Sequence, residues 1–332
     1  MSDSGNHNSR SPKVSILIPT YNYARFLPEA LESVLAQEFT DFEVIVLDDR
    51  SPDNTAEVMA EFCRRDPRIF FAVNPTNLGM VANWNACLAK ARGEYVKYLF
   101  GDDALAKPTS LGTLVQLLDT HPAATLATSA RKIIDEASRP MTTWDDWRKN
   151  GCHDGRAVMF ECLRTNQNLL GEPSAVMFRR KFSGRGFDSR YRQIVDLEMW
   201  FHLLEQGDLA YTSEALCCFR VHGAQQTAVN RASLIGHKEL LMLFSTCADR
   251  PWYLASPALT RLNMLRALRK LRNVCPRPEY LVFDRHVRSR IPQPLYGAYW
   301  IAHRIYRPFE NAFLSLQKRW RRRGGNDVTT AG

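Results

Sequence analysis

A central, mostly parallel β-sheet flanked by helices is the α/β fold class that this 332-residue sequence predicts. Three observations lead there. Short β-branched runs alternate with stretches of helical period from Lys13 to Phe100. The alternation repeats through four strands, which favours a parallel sheet covered on both faces over a meander of hairpins. The composition, 45% hydrophobic and 24% charged, fits a globular enzyme and excludes collagen-like, low-complexity and wholly disordered classes.

The elements follow in order. Val14-Ser15-Ile16-Leu17-Ile18 is a buried strand stopped at Pro19. Phe26, Leu27, Ala30, Leu31, Val34 and Leu35 recur at helical spacing. Glu43 to Leu47 is a second strand ending in Asp48-Asp49, and the turn Arg50-Ser51-Pro52-Asp53-Asn54 opens a helix through Val58, Met59 and Phe62. Arg68 to Val73 is a third strand, Gly79 to Arg92 a helix, and Glu94 to Phe100 a fourth strand ending at Gly101-Asp102-Asp103. Beyond Leu105 the periodicity loosens, and residues 135–170 read as loops with short helices. Ser174 to Phe178 reads as a further strand. Val195 to Gln206 reads as a helix closed by Gly207 at its C′ position, and Leu216 to Val221 as a strand leading to His222-Gly223. From about Ile235 the chain turns helical. The organisation is thus a disordered lead-in over 1–12, a main domain over 13–235, and a basic, largely helical region over 236–332.

The net charge of +9 is unevenly placed. Residues 250–332 hold 17 Lys+Arg against 4 Asp+Glu, a net of +13; residues 1–249 hold 27 against 31, a net of −4. The eight cysteines form no C-x-x-C pair, so neither a zinc site nor a disulfide framework is indicated, and reduced cysteines in the cytoplasm are the favoured reading. The N-terminus lacks the apolar stretch of a signal peptide. No run of 18 uncharged apolar residues occurs, which argues against a conventional transmembrane helix.

Ligands of parallel α/β sheets bind outside the carboxyl ends of the strands. Four consecutive strand ends carry the polar residues here: Thr20-Tyr21-Asn22, Asp48-Asp49, Asn74 with Asn77, and Asp102-Asp103. Adjacent carboxylates repel, and Mg²⁺ commonly compensates by binding one or two of them together with substrate phosphates. An exposed Asp-Asp turn is the bland alternative for Asp102-Asp103; the company of three other strand ends favours the metal. The glycine patterns G-x-G-x-x-G and G-x-x-x-x-G-K-[ST] are missing, so Rossmann dinucleotide and P-loop binding are excluded.

Val14 to Asn22, Val46 to Thr55, Asn77-Leu78-Gly79, Gly101-Asp102-Asp103, Val195 to Trp200 and Arg220-Val221-His222-Gly223 together resemble the family 2 glycosyltransferases of GT-A fold. The resemblance covers roughly residues 13–230. It implies inverting transfer of one sugar from a nucleotide-diphosphate donor, usually a UDP-sugar, with Mg²⁺ or Mn²⁺. By motif, Pro19, Tyr21 and Asp49 would hold the base, with Asp49 as its hydrogen-bonding partner. Asn77 and Gly79 would shape the neighbouring loop, and Asp102 would contact ribose or donor sugar. Asp103 would ligate the metal, and His222 would lie near the diphosphate as a second metal ligand. Asp196 matches the family's general base; its bland alternative is a first-turn acid favouring the helix dipole. Val195 stands where a second acid is usual, and Arg50 where a small residue is. Glu198, two residues beyond Asp196, points elsewhere on the helix and compensates only in part. Gly171-Glu172-Pro173-Ser174 resembles a segment lining the donor-sugar or acceptor pocket, while Trp144, Trp147 and Trp200 read as packing residues. A non-catalytic nucleotide-sugar-binding scaffold is the alternative that Val195 leaves open.

The basic region has its own alternatives. Arg319-Trp320-Arg321-Arg322-Arg323, after the apolar and aromatic stretch from Ile291 to Leu316, fits an interfacial helix on anionic lipid. No nucleic-acid-binding motif accompanies it, and a solvated helical cap is the bland reading. A peripheral position on the cytoplasmic face of a membrane, with a glycan or lipid-linked acceptor, is what the resemblance and the charge imply together. Gln317-Lys318-Arg319-Trp320 is one residue short of the Gln-x-x-Arg-Trp of processive synthases, so a processive polymerase is not expected.

Overall fold

The computed structural model describes residues 11–165, 167–223, 235–247, 250, 257–272 and 275–302. The Arg-rich segment 319–323 and most of the stretch 291–316 lie outside them.

The first four strands are β1 (Val14–Thr20), β2 (Phe42–Asp48), β3 (Ile69–Val73) and β4 (Tyr95–Tyr98). They pair in parallel in the order β3-β2-β1-β4. The helices α1 (Leu27–Leu35), α2 (Thr55–Arg65) and α3 (Met80–Lys90) supply the crossovers. Every residue of β1 and β2 is buried, which is why both strands read as unbroken apolar runs. β1 runs one residue past the expected stop at Pro19, because Pro19 lies beyond the last β1–β4 pair, Leu17 with Tyr98, and breaks no ladder there. The chain steps outward from β1 to β3 and then returns to β1's other side as β4. This reversal opens a crevice at the carboxyl ends of β1, β2 and β4.

The second half continues the sheet as β4-β9-β6-β10-β5, where β5 is Ala104–Leu105, β6 Ala124–Ile134, β9 Val176–Arg179 and β10 Asp208–Arg220. β6 and β10 run parallel over ten register positions, and β9 is antiparallel to both β4 and β6. The helices here are α4 (Ser110–Thr120), α5 (Gly155–Thr165) and α6 (Val195–Leu204).

The loop reading of residues 135–170 is corrected: β7 (Pro140–Trp144) pairs with β6, β8 (Gly151–His153) pairs with β10, and α5 follows. Every residue of β7 is exposed, so no alternation of burial marks it in the sequence. Gly207 is also reassigned. It is absent from the positive-φ residues. A Cβ there would stand 2.4 Å from the Ala123 carbonyl oxygen, so close approach to β6, not a left-handed helix end, requires glycine.

The chain divides into two compact units, residues 1–253 and 254–332. The first therefore extends beyond residue 235 and includes α7 (Ile235–Cys247). Glu239 of α7 is buried, and its carboxylate accepts from the backbone amides of Arg192 (2.7 Å), Gln193 (2.8 Å) and Ile194 (3.0 Å), just ahead of α6. No side chain caps α6 from within its own segment. Glu239 instead fixes the chain that leads into α6. Glu239→Ala is expected to cost about 2 kcal/mol by leaving amide donors without acceptors, read as a lower urea midpoint at unchanged slope. The second unit contains α8 (Pro257–Arg272) and α9 (Arg277–Arg290), as the helical reading expects. Among the described residues, no helix is long and apolar enough to cross a membrane.

Candidate active site

The strand-end crevice is a cavity of about 730 Å³. Its wall includes Pro19, Tyr21, Asp49, Asn77, Gly79, Asp102, Asp196 and His222. Eight of the nine residues singled out in the sequence thus meet on one surface; Asp103 is not part of that wall.

At one end, Asp49 organises the loop after β3. Its Oδ1 accepts from Asn74 Nδ2 (2.9 Å) and the Leu78 amide (2.7 Å), and its Oδ2 from the Gly79 amide (2.8 Å). Three of roughly four acceptor positions on the carboxylate are therefore occupied by protein. Gly79 has φ +83 and ψ 161, a region essentially confined to glycine, and it is the N-cap of α3. Asn77 Oδ1 also accepts from the Gly79 amide, at 3.1 Å. Asn22 and Arg50 both have positive φ, 60° and 63°, at the tips of the loops after β1 and β2. Those loops are tied together: Ser51 Oγ accepts from the Asn22 amide (2.8 Å), and Asp53 Oδ2 from the Ala24 amide (2.9 Å). Tyr21 stands over this end with 48% of its surface exposed, free to stack on a planar ligand.

Asp102, Asp103 and His222 form the middle of the site. His222 Nε2 lies 3.1 Å from Asp102 Oδ2, and the His222 ring packs on Tyr23 and Phe26, with centroids at 5.9 and 5.0 Å. Burial raises the Tyr23 phenol above its ordinary range, and the charges of Asp102 and Asp103 add to the rise. Asp103 is buried behind the wall; its Oδ1 accepts from the Arg220 amide (2.9 Å) and its Oδ2 makes no hydrogen bond. Burial pushes the Asp103 carboxyl well above the usual range, with the Asp102 charge reinforcing it. The Arg220 side chain, itself buried, donates from Nε to the Asp102 carbonyl (2.7 Å) and from Nη2 to Glu29 Oε2 (2.6 Å), which holds the acidic turn against α1.

This donor set fits a hard divalent cation. Asp102 and His222 meet on the cavity wall, and one oxygen of the adjacent buried Asp103 carboxylate lacks a hydrogen bond. Among the described residues no group of three or more His, Cys, Asp or Glu stands at metal-holding distance.

At the far end, Asp196 lies in the first turn of α6. The Leu197 amide donates to its Oδ1 (2.8 Å) and Asn168 Nδ2 to its Oδ2 (3.0 Å). Burial pushes its carboxyl up to about 7, and the nearby Glu172 charge works in the same direction. Glu172, on the turn before β9, lines the same cavity and is paired to the buried Arg131 at 2.5 Å. A second acid is thus present, although Val195 does not supply it. Glu198 faces elsewhere, in a two-bond pair with Arg185 at 2.9 Å. Trp200 is fully buried in an aromatic cluster with Phe178 and Phe187. Trp144 packs over Arg131 at 5.2 Å, outside the cavity wall.

Sequence reasoning did not find Asn168, Glu239 or Lys97. Lys97, in the middle of β4, is fully buried and lowered to about 8 by that burial; its Nζ donates to the Tyr98 carbonyl (2.8 Å) and to that of Ser174. It fastens the turn carrying Glu172 and Pro173 to the strand that ends at Asp102. A charged residue inside an apolar strand was its one visible signal.

Residues 15–184 match the family described as Glycosyl transferase family 2, a match that ends ahead of Asp196 and His222. An uncharacterized protein of Mycobacterium tuberculosis is 30% identical over 66% of this chain and 70% of its own length; further mycobacterial relatives, 29% identical, are matched over 59% of theirs. Staphylococcus aureus TarS, residues 1–349, in complex with UDP-GlcNAc superposes with a TM-score of 0.65 at 16% identity, over 84% of this chain and 82% of that one. The mannosyltransferase PcManGT from Pyrobaculum calidifontis, in complex with GDP-Man and Mn²⁺, superposes with a TM-score of 0.55 at 16% identity, over 91% and 88%. The fold is GT-A.

Proposed function

Because the chain belongs to glycosyl transferase family 2 and is a glycosyltransferase, we propose that it moves one sugar, with inversion, from a UDP-sugar to a hydroxyl of a glycan or lipid-linked acceptor. The observation that carries this is that one cavity wall brings together a loop built by Asp49, an acidic turn with an imidazole, and a carboxyl raised to about 7.

Tyr21 and Pro19 cover the base, while Asp49 holds the Asn77–Gly79 loop beneath it and keeps one acceptor position for a base N–H. Asp102 and His222, with Asp103 behind them, are the residues that would hold Mg²⁺ or Mn²⁺. A cation bound there supplies electrostatic stabilisation of the charge that develops on the leaving group. Asp196 accepts the proton of the acceptor hydroxyl. As that oxygen bonds to the anomeric carbon, the carbon–oxygen bond to the diphosphate breaks and its electron pair leaves with UDP. A base near 7 is matched to work at neutral pH, since about half of it is ionised there and it is still basic. No covalent nucleophile is needed.

The +13 of residues 250–332 supports a seat on an anionic membrane face on the cytoplasmic side, where lipid-linked acceptors are reached. Cosedimentation with phosphatidylglycerol vesicles should be lost on deletion from residue 254 onward, and unchanged pelleting of the truncated chain would remove this seat. For the reaction, UDP release from a panel of UDP-sugars with Mn²⁺ should exceed that of an Asp102→Ala, Asp103→Ala double variant. Release that never rises above that control overturns the reading.

A further inference from the structure

Asp196 receives one hydrogen bond on each oxygen, and the two come from different sources. The Leu197 amide belongs to α6 and accompanies the helix wherever it goes. The bond from Asn168 Nδ2, at 3.0 Å, is delivered by the turn after α5, 28 residues away in sequence.

That Asn168 amide is fixed in orientation. Its Oδ1 accepts from the Leu170 amide (3.1 Å) and the Gly171 amide (3.2 Å), so Nδ2 must face the other way. There it donates to Asp196 Oδ2 and to the Gly171 carbonyl (3.1 Å). All four hydrogen-bonding positions of the side chain are used, which leaves no alternative placement of oxygen and nitrogen. The Gly171 carbonyl also accepts from Trp200 Nε1 at 3.1 Å, and Trp200 stands one helical turn beyond Asp196. Asp196, Asn168, Gly171 and Trp200 close a ring between α6 and the turn that presents Glu172.

We propose that Asn168 is a positioning residue for the base, fixing the Asp196 carboxylate so that its remaining lone pairs address the cavity and locking it to the Glu172 turn. The inference rests on Asp196 being the base. A carboxylate held by one amide alone turns about its Cβ–Cγ bond, and the attacking hydroxyl then meets it off-line; misplacements of this size cost large factors in rate. The Nδ2 hydrogen bond also favours the ionised form. The charged group bearing on that ionisation is Glu172 on the adjoining turn, itself paired to Arg131 of β6; Arg192, ahead of α6, lines the same cavity.

Asn168→Asp preserves shape and the oxygen that takes the Leu170 and Gly171 amides, removes the N–H pair and sets a second carboxyl against Asp196, so the uncharged Asn168→Ala is read beside it. The expected result is a kcat lower by about 10–100-fold with an unchanged KM for the UDP-sugar. The acid limb of the pH–rate profile should move to higher pH, because a donor to the ionised form has been lost. Asn168→Ala should move the limb the same way. Trp200→Phe, which loosens the same turn without touching Asp196, should lower the melting temperature and leave the limb in place. In an Asp196→Asn background, Asn168→Asp should have no further effect on kcat. An unmoved limb and unchanged kcat in both Asn168 variants overturn the proposal, and so does a full additional loss in the double variant. Wild-type activity in Asp196→Asn alone would remove the base assignment instead, whatever Asn168 does.

Discussion

Asp196→Asn is expected to lower kcat by about 10²–10⁴-fold while leaving UDP-sugar binding intact, as for a side chain that acts only on the reacting proton. Asparagine keeps the shape of the carboxyl and one acceptor oxygen, while its nitrogen meets one of the donors that Leu197 and Asn168 present. In the wild type, kcat/KM should climb with unit slope as pH rises towards about 7 and level off above it. The sign follows from the raised carboxyl, which stays protonated, and useless as a base, until the pH passes the point to which burial has pushed it. The residual rate of Asp196→Asn should lack this limb. The same shift bears on stability. A carboxyl that binds its proton more tightly when folded favours the native state less as pH rises from its ordinary range towards 7. Unit slope surviving in Asp196→Asn would assign the limb to another group.

Asp49→Ala should act at the other end and through binding. The carboxylate satisfies Asn74 Nδ2 and the amides of Leu78 and Gly79, so its removal frees the loop that carries Asn77 and unmakes the conformation held at Gly79. An affinity for UDP weaker by about 10–100-fold is expected, equal to roughly 1.4–2.8 kcal/mol, read by calorimetry. Asp49→Asn is expected to fall between the two, because one of its two terminal atoms would meet an amide donor with a donor of its own. Wild-type affinity in Asp49→Ala would mean that the loop is held by other contacts. Paired with Asp196→Asn, the variant separates binding from proton transfer along a single cavity.

The parts of the site that were legible in the sequence share a cause. Pro19 lies near the end of a buried parallel strand, and Tyr21, Asp49 and Asp102 follow such strands, whose apolar runs end abruptly, so finding the strands also finds the strand ends. The second half hides its elements. β7 is exposed throughout and β8 has three residues, so neither carries a period. Glu172 was noticed only as part of a short segment, and its place beside Asp196 depends on Lys97 and Asn168, which bind backbone carbonyls without forming any sequence pattern.

The sequence by itself determined the order of strands and crossovers, the four polar strand ends, and the separation of an acidic body from a basic C-terminal stretch. These are local properties, since burial on two faces sets the apolar runs and the reversal of strand order follows from chain connectivity. Only the tertiary structure decided the rest. Asp103 sits behind the wall that Asp102 occupies, Glu172 lines the cavity that Asp196 also lines, and Glu239 of α7 holds the chain ahead of α6. Each of these depends on hydrogen bonds between segments 20 to 120 residues apart. Such bonds arise from the juxtaposition of buried polar groups, and no residue spacing along the chain records it.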